Sequence, residues 1–142
     1  MKETDNAALI EMAATVLNPI QVQGRLFADV GAAVVSATGD IFTGVCVDTA
    51  GWGLCAERSA LAAMITAGQY KIARVVAVWR DDGTRKLRVL PPCGICREFM
   101  RAIDKTNLDA DIILGWGQSA QLKELLPFHT WPPALGDFKK VR

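Results

Sequence analysis

The chain has 142 residues, 51% of them hydrophobic and 22% charged, with 12 Gly and 6 Pro. That length predicts one domain, residues 1–142, and that apolar share is enough to fill a core, which excludes an intrinsically disordered protein. Sixteen basic residues against fifteen acidic leave a net charge of +1, which speaks against a non-specific nucleic-acid binder or a basic membrane-surface protein.

Taken in chain order, residues 4 to 17 carry apolar groups at Leu9, Ala13, Val16 and Leu17, a helical stripe stopped by Asn18-Pro19. Residues 30 to 37 and 41 to 47 read as strands, with Thr38-Gly39-Asp40 as the hairpin turn between them. From Cys55 to Ala67 the pattern turns helical, and Gly68 stands where a helix stops. Ala73 to Trp79 is a near-continuous β-branched run, the mark of a strand buried on both faces. Asp82-Gly83 predicts a turn and Lys86 to Leu90 a short strand. Gly94 to Ile103 is amphipathic and helical, Asp111 to Trp116 is a further buried strand, and Ala120 to Leu126 is a last short helix before Pro127. Residues 129–142 carry no regular signal and read as an irregular tail. The order α-β-β-α-β-β-α-β-α predicts an α/β fold, a three-layer α/β/α sandwich around a mixed five-stranded sheet. No apolar run is long enough to cross a membrane, and Met1 to Asp5 lacks the features of a signal peptide, so a cytoplasmic protein is expected.

The chemistry lies in the cysteines. Cys55-Ala56-Glu57-Arg58 opens one expected helix, and Pro92-Cys93-Gly94-Ile95-Cys96-Arg97 opens another. The 37 residues between Cys55 and Cys93 are too many for two adjacent zinc knuckles, but they accommodate a helix, a strand and a turn. If both helices lie on one side of the sheet with adjacent N-termini, three thiolates converge and a fourth tetrahedral position stays open, as in a catalytic zinc site. The partial positive charge of helix N-termini favours the thiolate form. Glu57, two residues after Cys55, is placed to move a proton between water and a substrate nitrogen. Three thiolates leave Zn²⁺ with a net formal charge of −1, so a guanidinium donating to the sulfurs, from Arg58 or Arg97, would restore its acidity. Three buried core thiols are the plain alternative for the cysteines, and a carboxylate favoured by the helix dipole is the plain alternative for Glu57.

C-A-E followed by P-C-x-x-C resembles the signature of the zinc-dependent deaminases. Val30-Gly31-Ala32-Ala33, the run Gly39 to Val45, Cys55 to Ala60 and Leu125-Leu126-Pro127 are similar, in order, to blocks of the small cytidine deaminase family. The likeness covers roughly residues 5 to 128, and Arg88 to Glu98 is especially similar to the blasticidin-S deaminase branch. It implies the cytidine deaminase-like fold and one Zn²⁺ per subunit on Cys55, Cys93 and Cys96. It also implies hydrolytic removal of the exocyclic amine of a cytosine-type nucleoside as ammonia, with Glu57 as the proton shuttle. Backbone near Ala56 and Pro92 would grip the base, and the subunits would form a homotetramer, or a dimer, whose neighbours complete each pocket.

The chain departs from the resemblance at two places. Where family members carry Asn-x-Glu to hold ribose hydroxyls, it reads Cys46-Val47-Asp48, and Phe27 sits three residues before Val30 instead of two. Cys46 cannot imitate an amide's donor and acceptor pair. Cys46, Asp48 and Phe27 are therefore candidate substrate contacts, with Cys46 as a plain strand-end filler and Asp48 as a turn residue the alternatives. Phe128, Trp116 and Trp131 read as core or subunit-interface residues, with Phe128 and Trp131 as candidates to cap a planar base, and the lone His129 lies where the resemblance implies approach to a neighbour's pocket. The substrate class splits accordingly. A cytosine-type nucleoside is one reading; a non-nucleoside amino-heterocycle and a catalytically silent zinc-stabilised binding module are the alternatives. Neither a nucleic-acid nor a membrane partner is expected.

Overall fold

A computed structural model describes residues 2–130. Helix α1 (Lys2–Ala14) leads into two short strands, β1 (Ile20–Val22) and β2 (Arg25–Phe27), which pair as an antiparallel hairpin. Strands β3 (Val30–Ser36) and β4 (Ile41–Val45) form the second hairpin, and β5 (Val47–Thr49) with β6 (Trp52–Leu54) the third. Helix α2 (Ala56–Thr66), β7 (Ile72–Arg80), β8 (Leu87–Leu90) and α3 (Gly94–Ile103) follow. A 3-10 turn (Lys105–Asp109), β9 (Asp111–Gly115), β10 (Gln118–Gln121) and α4 (Leu122–Leu125) complete the described chain.

The main sheet runs β10-β9-β7-β3-β4. Strand β7 is its axis. It is antiparallel to β3 along almost its whole length, and its other edge is shared by β9, parallel at Arg74 and Val75, and β8, antiparallel from Ala77 to Arg80. Among the described residues the mixed sheet has six strands: the five expected from the sequence, β3, β4, β7, β8 and β9, and β10, which adds to the far edge of β9.

Side-chain alternation assigns the two faces, because successive residues of a strand point to opposite sides. Ala32, Val34, Val75, Ala77 and Ile112 pack with Ala60, Leu61 and Met64 of α2, Met100 of α3 and Leu122 of α4. Ala33, Val35, Val76, Val78 and Ile113 pack with Leu9, Ile10 and Ala13 of α1. Helices thus cover both faces, with α2 and α3 on the same one. Two glycines let them close in. A Cβ at Gly31 would strike the Ala13 carbonyl oxygen, and one at Gly44 would strike the Ala60 amide nitrogen and come 2.8 Å from Ser59.

Three local expectations are corrected. The strand expected to reach Val47 breaks at Cys46, after which β5 starts a separate ribbon. The helix expected from Ala120 to Leu126 is a strand as far as Gln121 and a four-residue helix after it, because β10 pairs along β9 and the short helix begins only where Gln121 and Glu124 form a reciprocal cap. The first helix ends at Ala14, so Val16 and Leu17 lie beyond it, with Leu17 packed against the α1 side of the core. Among the described residues no helix is long and apolar enough to cross a membrane.

Candidate metal centre and cleft

Cys55 and Cys93 occupy equivalent places in the fold. Each is the N-cap of its helix, with extended backbone (φ −65°, ψ 150° and φ −67°, ψ 166°) and no capping bond from its side chain. Both thiols are therefore free to face each other, and their sulfurs lie 3.5 Å apart. Cys96, one turn into α3 and fully buried, joins them, so that all three Sγ atoms fall within 4.8 Å of one another. Sulfurs sharing a tetrahedral Zn²⁺ at 2.3 Å stand about 3.8 Å apart, a spacing this cluster brackets. None of the three is in a disulfide. The cluster is consistent with one zinc site.

The electrostatics of the cluster are uneven. Burial pushes the Cys93 thiol up, but the Cys96 amide and the thiols of Cys55 and Cys96 outweigh it and leave Cys93 below the usual thiol range. Cys96 is driven well above that range, chiefly by burial and then by the charge of Glu57. Arg58 reaches back over its own helix. Its Nη2 donates to Cys55 Sγ at 3.6 Å and to the Gly53 carbonyl at 3.4 Å, and the Cys55 contact is the main reason its pKa is raised. Arg97 does something different: its Nε donates to the Pro92 carbonyl at 2.8 Å and its Nη1 to the Leu125 carbonyl at 2.9 Å, tying the segment before Cys93 to the end of α4.

Glu57 is 5% exposed, and burial holds its carboxyl above the usual range against the opposing pull of its own backbone amide and of Arg58. It faces a cleft of about 200 Å³ lined by Val30, Cys46, Cys55, Ala56, Leu90, Pro91 and Cys93 as well. A larger hollow of about 430 Å³ lies elsewhere, around Gln69, Tyr70 and Asp104, and contains none of the thiols. A buried acid, two thiols of the cluster with the third buried behind them, and an apolar wall on one cleft make an arrangement able to hold a metal and pass a proton to a bound molecule.

The other residues singled out from the sequence fall in different places. Ala56 lines the cleft, whereas Pro92 is buried and its neighbour Pro91 is at the surface of the cleft. Cys46 lines it too, and is more than a filler: its thiol donates to Asp29 Oδ1 at 2.9 Å. Asp48 is exposed in β5, Phe27 is half-buried in β2, and Phe128 is wholly exposed; none of these lines the cleft. His129 meets Thr130, with 3.1 Å between its Nδ1 and the hydroxyl. Trp131 lies outside the described residues. Leu90 and Asp29 were not among the sequence candidates. The one signal for Asp29 was the shifted spacing of Phe27 and Val30, which marks an extra residue beside the strand.

Residues 4–108 match the family model for the cytidine and deoxycytidylate deaminase zinc-binding region. A probable cytidine deaminase of Dictyostelium discoideum is 42% identical over 72 residues, 49% of this chain and 46% of that protein. The blasticidin-S deaminase of Bacillus cereus is 36% identical over 76 residues, 50% of this chain and 54% of that protein. The chain thus spans about half the length of these two relatives. In three dimensions it resembles the cytidine deaminase of Burkholderia pseudomallei with a TM-score of 0.68 at 29% identity, over 87% of this chain and 98% of that one.

Proposed function

Because the chain belongs to the cytidine and deoxycytidylate deaminase family, we propose that it is a zinc-dependent hydrolase that exchanges the exocyclic amine of a cytosine-type nucleoside for a carbonyl oxygen and releases ammonia. The observation that carries this reading is the buried acid Glu57 on the same cleft as Cys55 and Cys93, two of the three clustered thiols, with Cys96 buried beside them.

Cys55, Cys93 and Cys96 would hold one Zn²⁺, which supplies Lewis acidity and a water ionised near neutral pH. The remaining work belongs to the chain's own side chains. Glu57, kept above the usual carboxylate range by burial, retains a proton at a pH where an exposed glutamate has lost it. It gives that proton to the ring nitrogen beside the amine-bearing carbon, takes one from the attacking water and passes it to the amine as the carbon–nitrogen bond breaks, and recovers its own proton from the second O–H of that water as the carbonyl forms. Water and the amine enter the balance, and carbonyl product and ammonia leave it. Arg58 offsets negative charge on the thiolates by donating to Cys55. Val30, Ala56, Leu90 and Pro91 give the cleft the apolar walls that a planar ring fills.

The test is ammonia release from zinc-loaded protein given cytidine, deoxycytidine and cytosine, with Glu57→Gln alongside. The wild type turns over at least one of them, and Glu57→Gln keeps zinc while losing turnover by about 10³-fold or more. Full activity in Glu57→Gln would sink the proton-shuttle role. A second reading, deamination of a non-nucleoside amino-heterocycle, draws on Cys46, whose proton is already engaged by Asp29 where a hydroxyl-reading amide was expected.

We further infer a homo-oligomer, since Trp52, Ile95 and Phe128 are exposed apolar side chains at 83%, 64% and 103%. Its mass in solution tests this. A reducing, cytoplasmic setting suits a chain whose four cysteines are all free and whose function needs three of them as thiolates. The reading takes residues 1–142 as a single domain.

A further inference from the structure

Between β2 and β3 the chain turns through Ala28, at φ +61°, and delivers Asp29 to the head of β3. Asp29 is half-buried and, among the described residues, forms no ion pair. Its carboxylate is held instead by a thiol: Cys46 Sγ donates to Oδ1 at 2.9 Å. The same sulfur accepts from the Val30 amide at 3.4 Å, and the Cys46 backbone is fastened on both sides, its N–H to the Val30 carbonyl at 3.0 Å and its carbonyl to the Ala28 amide at 3.2 Å. Burial, and then Asp29 itself, push the Cys46 thiol up, so it stays protonated and keeps donating.

Cys46 lines the cleft, so a carboxylate stands one hydrogen bond behind its wall. Among the described residues, none that lines the cleft is basic. Where Cys46 stands, the thiol proton is already spent on Asp29, so that part of the wall presents a sulfur backed by a carboxylate, which also lines a separate hollow with Arg80 and Arg85. A bound group gains there by bringing N–H donors or positive charge, and an anion is repelled.

We propose that Asp29, acting with Cys46, determines the specificity of this cleft, favouring cytosine derivatives whose substituent carries a cationic N–H donor such as a primary ammonium. The proposal rests on the deaminase reading above. If the amine-bearing ring carbon faces the thiols and Glu57, ring nitrogen 1 lies across the ring, and the group it carries is the part of the substrate left to meet the opposite wall.

The experiment uses three cytosines that differ only at that nitrogen, bearing a 2-aminoethyl, a 2-hydroxyethyl or a carboxymethyl group, together with cytidine, on zinc-loaded protein. The wild type is expected to prefer the ammonium substrate over the hydroxyl one by about tenfold or more in kcat/KM, with the carboxylate last. Asp29→Asn should bring that preference close to unity through KM, with kcat kept. Cys46→Ser, whose hydroxyl still donates to Asp29, should retain it. Zinc content and thermal midpoint are measured on each variant. Independently of any variant, KM for the ammonium substrate should rise with ionic strength more steeply than KM for the hydroxyl one. Equal wild-type rates on the charged and neutral substrates, an unchanged ratio in Asp29→Asn, or identical salt responses would overturn the proposal while leaving the deaminase reading intact. No turnover of any of the four compounds would defeat that reading, and this inference with it.

Discussion

Gly44→Ala tests whether the seat of α2 on the sheet sets the geometry of the cleft. The added methyl would overlap the Ala60 amide nitrogen and lie 2.8 Å from the Ser59 carbonyl carbon and from its Cβ. These are mostly backbone atoms, which cannot swing aside. To restore ordinary contact α2 has to withdraw by roughly 1 Å. Ala60 and Leu61 are fully buried, so the withdrawal also loosens the core behind them, and overpacking of this kind costs about 1–3 kcal/mol. The Ser59 amide is bonded to the Cys55 carbonyl at 3.1 Å, so the shift is passed to Cys55 and Glu57 at the start of the helix. A displacement of about 1 Å at reacting groups is enough to cost about 10²-fold in rate.

Urea unfolding should therefore show a lowered midpoint, while kcat on whichever cytosine substrate is turned over falls about 10²-fold. Gly83→Ala, whose methyl would lie 3.8 Å from the nearest neighbour, is the control and should change neither. Strand β4 is the sheet edge, bonded among the described residues to β3 alone, and offers the strain another way out. A Gly44→Ala protein that is destabilised but keeps full turnover would show that β4 gives way instead of α2, and would refute the positioning argument.

Two further outcomes follow from the same packing. Cys93→Ser should lose stoichiometric zinc by elemental analysis, and a strong chelator that lowers the thermal midpoint of the wild type should leave that of the variant unmoved; a variant that still holds one zinc would remove Cys93 from the ligand set. Asn107→Ala should cost about 3 kcal/mol or more in urea unfolding. The buried side chain accepts from the Ile72 amide at 2.8 Å and donates to the Tyr70 and Met100 carbonyls, both at 3.0 Å, joining the end of α3 to the start of β7. A loss below about 1 kcal/mol would mean that water replaces it there.

The amino-acid pattern alone determined the elements that carry the core. The short apolar runs at residues 30–37 and Ala73–Trp79 predict strands because both of their faces must be covered by helical layers, and the structure pairs those two strands along their length. It also marked Cys55, Glu57, Cys93 and Cys96 as the residues worth watching, since a thiol at a helix start followed by a carboxylate is chemistry written in adjacent positions. The short ribbons left no such mark. The residues of β1 are all exposed and those of β5 and β6 mostly so, hence no buried face imposes a period on them. The last two residues of β10, Ala120 and Gln121, fall in the helix expected from the sequence because the partner strand, β9, and not their own side chains, decides their conformation. The site itself belongs to the tertiary structure. Two helix starts 38 positions apart meet with sulfurs 3.5 Å from each other only because both helices pack on one face of the same sheet. Asp29 and Cys46, 17 positions apart, become partners because the extra residue before β3 is absorbed by the turn at Ala28. Local side-chain periodicity fixes which face a residue shows, but distances between segments follow from how closely backbones approach, and that is set by packing at places such as Gly31 and Gly44.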